Sequence, residues 1–393
     1  MTRSVDLVIV GGGPAGLSTA LHLHAAAPAL RVVVVEKASY PREKICAGGV
    51  GARAFRILEK LGVEVACPKV PIDALALRMD GRTVVSRAPG LAVVVRRVEF
   101  DHALAHQARA RGIEILEGTT VERITIDEET GVRVTTATGL ELHARAIVGA
   151  DGVSGVVRRQ TGFAQSGLRA QVAELDTEGV AEDQPRDTIV FDLGVGDLNG
   201  YAWDFPTVVD GRPLVCRGAY VIRNLGPDDA RGRLAAYLAE RGLRIKDYRI
   251  KQFAERGWEP GAEISAPRVL LVGEAAGIDI ATGEGIGQAI EYGAVAGPYL
   301  ARAFERDRLR FSDWHLVVDR HHLGFQLRIR HACYRWFFSA KRPSIERMLP
   351  AMTAGIQLGL EDFAGVPLSK LAMLRASGQF LAAYAREKMR AES

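Results

Sequence analysis

Four cysteines in 393 residues, Cys46, Cys67, Cys216 and Cys333, are too few and too scattered for a disulfide framework, and no C-x-x-C pair offers structural zinc spacing. A reducing cytosol is the expected setting. An excess of one charge is also lacking: 51 Lys and Arg against 47 Asp and Glu leave a net +4, spread too evenly to expect a nucleic-acid partner. Long apolar runs are missing. Those present, such as Val32 to Val35, fall far short of the roughly twenty residues that span a bilayer. A strand pattern begins by Val5, so no export leader is expected ahead of it. What remains is ordinary globular composition, 48% hydrophobic and 25% charged with 42 glycines, which excludes disorder, collagen and coiled coil. The length calls for two or three packed units.

Val5 to Val10 reads as a buried parallel strand that runs into Gly11-Gly12-Gly13-Pro14-Ala15-Gly16 and then a helical stretch, Leu17 to Ala26. A second strand, Arg31 to Val35, ends in Glu36, where a carboxylate can accept from a ribose, and Lys37 follows it. Strand, glycine turn, helix and acid together form a dinucleotide fingerprint. Gly11 makes the tight turn, Gly13 admits a pyrophosphate to backbone amides, and Gly16 lets helix and strand pack closely. Pro14 and Ala15 complete the cofactor turn. The motif alone does not separate NAD from FAD.

Two later strands end in small-residue turns: Ala146 to Val148 in Gly149-Ala150-Asp151-Gly152, and Pro267 to Val272 in Gly273-Glu274-Ala275-Ala276-Gly277, followed by Thr282-Gly283-Glu284-Gly285-Ile286-Gly287. With these segments the chain resembles FAD-dependent oxidoreductases of the hydroxylase-like class. The resemblance implies that Asp151 lies in a turn near the cofactor and that Glu274 replaces an aspartate accepting from the ribityl chain. The amides after Gly283, including Gly285 and Ile286, would then face the isoalloxazine. A helix start there suits negative charge on a reduced flavin. Glu274 departs from the family by one methylene. Arg97-Val98-Glu99-Phe100-Asp101 resembles the R-x-x-F-D stretch of the same class, which makes Arg97, or Arg96 beside it, the phosphate-side arginine. Val121 is assigned to the adenine through its backbone.

Gly200-Tyr201-Ala202-Trp203-Asp204-Phe205-Pro206 resembles the Y-x-W-x-F-P motif of the geranylgeranyl reductase family. Alternation puts Tyr201, Trp203 and Phe205 on one face of a strand as an aromatic wall for an apolar substrate, or as a core stripe; Pro206 is expected to stop the pairing. Lys44-Ile45-Cys46-Ala47-Gly48-Gly49 resembles the K-x-C-G-G segment of that family, with alanine at 47 as a departure. The resemblance makes Cys46 the reactive-site candidate and sets Lys44 on the cofactor side. Beside Lys44 a thiolate is expected; a small buried hydrophobe is the other reading.

The resemblance implies an α/β fold: an FAD-binding Rossmann-like domain (1–75, 95–160 and 262–305), an antiparallel-sheet substrate domain (76–94 and 161–261) and a helical C-terminal segment (306–393). Short strand-like patterns at Thr188 to Gly194 and Pro213 to Ile222 support the second part. The implied chemistry is reduction of a carbon–carbon double bond of an isoprenoid-like molecule, by hydride from reduced flavin and a proton from an acid. No second fingerprint occurs, so NAD(P)H would visit transiently, or another carrier would reduce the flavin. An FAD monooxygenase or flavin-dependent halogenase is the alternative, and a non-catalytic prenyl-lipid partner a further one. In the tail, His315, His321, His322 and His331 lack metal-site spacing and read as packed or solvated, with no metal expected. Tyr334, Trp336, Phe337 and Phe338, flanked by Arg330, Arg335, Lys341 and Arg342, read as a helix packed on the core or as a peripheral contact with an anionic membrane.

Overall fold

The computed structural model describes residues 2–79, 81–164, 167–194, 199–223, 229–339, 342–366 and 368–392, so Lys341 lies outside the described residues. Two sheets organise the chain. The first is built on parallel strands β1 (Thr2–Val10), β2 (Val32–Val35), β6 (Glu114–Leu116), β9 (Glu141–Gly149) and β16 (Val269–Leu271), in the order β16-β9-β1-β2-β6. β15 (Ser265–Ala266) edges β16, while the hairpin of β7 (Val121–Asp127) and β8 (Gly131–Thr136) joins through β9. Leu7, Val8 and Ile9 are wholly buried, as continuous apolar runs in a parallel sheet require, and each contributes about 1.5–3 kcal/mol. The carboxyl ends of β1, β2, β9 and β16 run directly into the glycine turn, Glu36, Asp151 and Glu274. One edge of this sheet therefore gathers all the cofactor candidates, as open α/β sheets do.

Helices α1 (Pro14–Ala26), α3 (Arg97–Ala110) and α6 (Ile286–Glu305) pack together, with α1 lying closely along α6. The close approach is forced by glycine: a methyl on Gly293 or Gly297 would overlap Ser18 or His22. The short α2 (Ala52–Glu59) and α4 (Val156–Gln160) fill the flanks.

The second sheet runs β14-β10-β13-β12-β11-β4-β5-β3: β3 (Gly49–Gly51), β4 (Lys69–Met79), β5 (Arg82–Val95), β10 (Arg169–Thr177), β11 (Thr188–Asp192), β12 (Gly200–Val209), β13 (Arg212–Ile222) and β14 (Lys251–Arg256). All its pairs are antiparallel except β4 with β11. Its outer face, with Ala173, Leu175, Ala202 and Val221, packs under α5 (Ala230–Ala239). This sheet begins earlier than the boundary expected at residue 76. β4 starts at Lys69 and β3 contributes from Gly49, because Pro71 and the irregularity between Ile72 and Ala74 disguise the alternation of β4. Pro206 does not end β12 either: its register with β13 continues through Val209 opposite Arg212. A proline withholds one donor, and the neighbouring pairs carry the ladder on.

The C-terminal segment comprises α7 (Trp314–Arg320), α8 (His322–Phe337), α9 (Arg342–Met348), α10 (Thr353–Phe363) and α11 (Lys370–Glu392). Trp314, fully buried, donates its indole N–H to the Leu271 carbonyl at 3.1 Å and fixes the segment to the first sheet. No described helix is long and apolar enough to cross a membrane.

Candidate functional site

Gly11 has φ +106°, and a methyl there would overlap the Ala150 carbonyl; a methyl on Gly16 would overlap the Gly11 carbonyl. Gly13 differs. A methyl on it would meet only guanidinium nitrogens of Arg42 and Arg97, each 3.8 Å away. The turn is thus an amide cradle at the start of α1 with two cations over it, the chemistry a pyrophosphate needs. Pro14 and Ala15 open α1, and Ala15 packs against Gly273, bringing the third segment to the first.

Glu36 is buried and accepts from the Gly12 amide at 2.8 Å and the Ala38 amide at 3.1 Å. Each carboxylate oxygen keeps a lone pair for a ribose hydroxyl. Lys37 is exposed. Thr119 donates its amide to the Glu36 carbonyl at 2.9 Å, and Val121 opens β7 two residues on, beside the end of β2.

Arg97 begins α3 and makes a bidentate pair with fully buried Asp101, both bonds 2.7 Å; Arg42 lies 3.2 Å from the same carboxylate. Asp101 therefore organises both guanidiniums. Arg96 faces elsewhere, pairing with Asp176 at 3.0 Å, which separates the two arginines left open by the sequence. Asp151 turns to cap α4, accepting from the Val157 amide at 3.0 Å, and burial lifts its carboxyl to about 6.

At the other end of the crevice, Glu274 approaches Gly152: a methyl on that glycine would sit 3.3 Å from Glu274 Oε2. Glu274 Oε1 is buried with no hydrogen-bond partner among the described residues. An orphaned acceptor at this point fits a ribityl hydroxyl, so the extra methylene does not spoil the site. Gly283 has φ +67° and lies in the loop leading to α6, which Gly285 precedes and Ile286 opens, so the first-turn amides have no partner within the helix. Cradle, orphaned acceptor and helix start suit the phosphate, ribityl and ring portions of FAD.

Tyr201, Trp203 and Phe205 share the inner face of β12. Tyr201 stacks on Tyr220 with centroids 4.9 Å apart, and Phe191 meets the edges of Tyr201 and Phe205 at 5.1 and 5.5 Å. The Tyr201 hydroxyl donates to the Thr282 carbonyl at 2.6 Å, so the wall abuts the loop before α6. Tyr334, Phe338, Leu360 and Phe363 from α8 and α10 pack against the same cluster. Pro206 falls on the opposite face with Ala202 and Asp204 and is not part of the wall.

Cys46 donates its amide to Glu174 Oε1 at 3.1 Å, and its sulfur accepts from the Gly48 amide at 3.4 Å. Burial raises the thiol, with the Arg97 charge opposing, which favours the neutral S–H of the small-hydrophobe reading over the thiolate. Lys44 does not overturn this. Its ammonium sits over the Phe253 ring at 5.6 Å and acts on Glu255 and Glu274. Burial also lifts Glu174 to about 7, and Glu255, beside Glu274, well above the carboxylate range. Glu255 Oε2 would lie 3.3 Å from a methyl on Gly283 and interacts with the Tyr220 hydroxyl. Proton-holding groups thus line the crevice between the wall and the α6 loop.

Sequence reasoning missed Arg42, Glu174, Tyr220 and Glu255. Glu174 left a signal: it shares a strand face with Ala170 and Val172, where a carboxylate is out of place.

The tail aromatics are packed. Tyr334 is buried and Trp336 meets the edge of Phe380 at 5.6 Å, while Arg342 bonds Glu346 and the Leu193 carbonyl. Arg330 reaches into the site, 2.8 Å from Asp279 and 2.9 Å from Glu284. His322 bonds Asp362 at 3.0 Å and His331 packs on Trp258, and no three described His, Cys, Asp or Glu form a metal-binding group.

Residues 4–191 match the FAD binding domain family. A menaquinone reductase of Mycolicibacterium smegmatis is 28% identical over 351 residues, 83% of each chain. A digeranylgeranylglycerophospholipid reductase of Methanosphaera stadtmanae is 26% identical over 76% of this chain and 78% of its own. Among solved structures, a geranylgeranyl bacteriochlorophyll reductase-like protein of Thermoplasma acidophilum superposes with a TM-score of 0.76 at 18% identity, covering 96% of both chains. The halogenase PltM shares the fold at a TM-score of 0.69 and 16% identity, over 98% of this chain and 86% of its own.

Proposed function

We propose, from the premise that this chain is an FAD-dependent oxidoreductase with the fold of geranylgeranyl reductase-like proteins, that it reduces a carbon–carbon double bond of an isoprenoid-like substrate. One observation carries the reading: the aromatic strand β12, through Tyr201, and the buried carboxyl of Glu255 flank the same loop before α6. Two relatives named as reductases, of menaquinone and of digeranylgeranylglycerophospholipid, support it.

Bound and reduced, FAD supplies the hydride. The chain does the rest. Tyr201, Trp203 and Phe205 hold the apolar chain flat and exclude water. With FAD bound, Arg42 and Arg97 would anchor its pyrophosphate, Glu274 would take a ribityl hydroxyl, and the amides at Gly285 and Ile286 would face the ring, where a helix start favours negative charge. Cys46 Sγ keeps its proton at neutral pH, and burial shifts the Glu255 carboxyl toward its protonated form, the state a donor to carbon needs. NAD(P)H or another carrier acts as a transient reductant.

The test is anaerobic: protein reduced with one equivalent of dithionite is mixed with detergent-solubilised geranylgeraniol, whose only groups able to gain two hydrogens are its carbon–carbon double bonds. Reoxidation of flavin without oxygen, with product heavier by two hydrogens, is expected. Reoxidation only on admitting oxygen, with an oxygen or halogen gained by the substrate, would instead favour the oxygen-using chemistry of monooxygenases and halogenases.

A further inference from the structure

The last described helix carries an apolar face that nothing among the described residues covers. On α11, Leu374 is 70% exposed, Leu381 63%, Met389 62% and Leu371 58%. At ~100° per residue, these four share one sector of the helix with Gly378, Ala382 and Ala385. The opposite sector is spoken for. Ala383 is buried, Phe380 meets Trp336, Gln379 accepts from the Ala354 amide at 2.7 Å, and Glu387 pairs with Arg347.

Charge defines the borders of the exposed stripe. Lys370 and Lys388 lie along one side, Arg375 and Arg386 along the other, while the acid Glu387 is turned inward. A second copy of the chain would bring these like-charged borders together. An anionic lipid surface would not: it offers hydrocarbon to the leucines and phosphates to both borders. The helix is also unsuited to crossing a bilayer, consistent with its charged residues. A helix lying in the surface needs this cross-section, a solvent-facing apolar stripe with cationic edges.

We infer that α11 is a docking helix for anionic membranes, resting on the surface with Leu371, Leu374, Leu381 and Met389 in the acyl boundary. Its position gives the contact a use. α11 packs on α10, and α10 supplies Leu360 and Phe363 to the cluster around the aromatic wall, so the docked face is one helix removed from the proposed lipid chamber. The docking itself does not depend on which substrate the chamber takes.

The experiment is vesicle co-sedimentation of the full chain with phosphatidylcholine alone and with an equal mixture of phosphatidylcholine and phosphatidylglycerol. Binding to the anionic vesicles, weakened by salt, and none to the neutral ones is expected. The Leu374→Glu/Leu381→Glu double variant should lose binding while keeping its bound flavin and thermal midpoint. Arg375→Gln/Arg386→Gln should weaken binding roughly 30-fold, at about a factor of five per basic residue. No sedimentation of the wild type, or unchanged sedimentation of the leucine variant, overturns the inference. So does a wild-type dimer in sedimentation velocity that the leucine variant converts to monomer, since that would make the face an interface between copies.

Discussion

The Tyr201 hydroxyl donates to the Thr282 carbonyl at 2.6 Å, joining the aromatic strand of the second sheet to the loop that leads into α6. The aromatic strand and the loop before α6 are therefore one mechanical unit. Tyr201→Phe removes the donor to a part-buried carbonyl and is expected to cost about 0.5–1.5 kcal/mol in chemical denaturation, with a shifted visible spectrum of bound flavin. A spectrum and stability equal to wild type would break the link.

Arg330 performs a second joining, from α8 to Asp279 at 2.8 Å and Glu284 at 2.9 Å. Removing it strands two carboxylates in a buried site. Arg330→Met is expected to destabilise by about 3–5 kcal/mol in equilibrium unfolding, and Arg330→Lys, which cannot bridge both partners, by less. A loss below about 1 kcal/mol for the methionine variant would mark the pair as an ordinary surface contact.

Glu174 gives the stability a pH dependence of defined sign. Folded, it holds its proton to about 7; unfolded, it releases it near 4.5. The contribution is full below pH 4.5 and is lost as pH rises through 7, because the folded state binds the extra proton. In flavin-free protein, the stability of wild type relative to Glu174→Gln should fall by up to about 3 kcal/mol between pH 4.5 and 8. A difference that stays flat or rises over that window contradicts the assignment.

Cys46 should behave as a reluctant thiol. Its burial raises the pKa, so alkylation by iodoacetamide, followed by mass spectrometry of the Cys46 peptide, should stay slow at neutral pH and accelerate only in alkaline solution. Rapid modification near pH 7 would restore the thiolate reading.

The glycine turn was legible because its physics is local: Gly11, Gly13 and Gly16 answer to a strand and a helix that adjoin them in sequence. The wall was legible through alternation at Tyr201, Trp203 and Phe205. The protonation of Cys46 was not, because its surroundings come from far along the chain: Glu174 arrives on β10 and Glu255 on β14, strands whose pairing no local pattern announces. Lys44, the sequence neighbour behind the thiolate reading, instead serves Glu255 and Glu274. Arg42 was hidden for a similar reason, lying in an irregular loop and gaining its meaning from Asp101. The exposed stripe of α11 drew no reading from the sequence, since only the packed fold shows which helix face is left over.

The convergence of three chain segments on one flavin is tested most directly by counting FAD released on denaturation of natively purified protein, beside a Gly13→Val variant whose side chain fills the pyrophosphate cradle. One FAD per wild-type chain and little or none in the variant is the expected result. A wild-type chain that carries no FAD and takes none up, or a variant that retains it fully, would contradict the site.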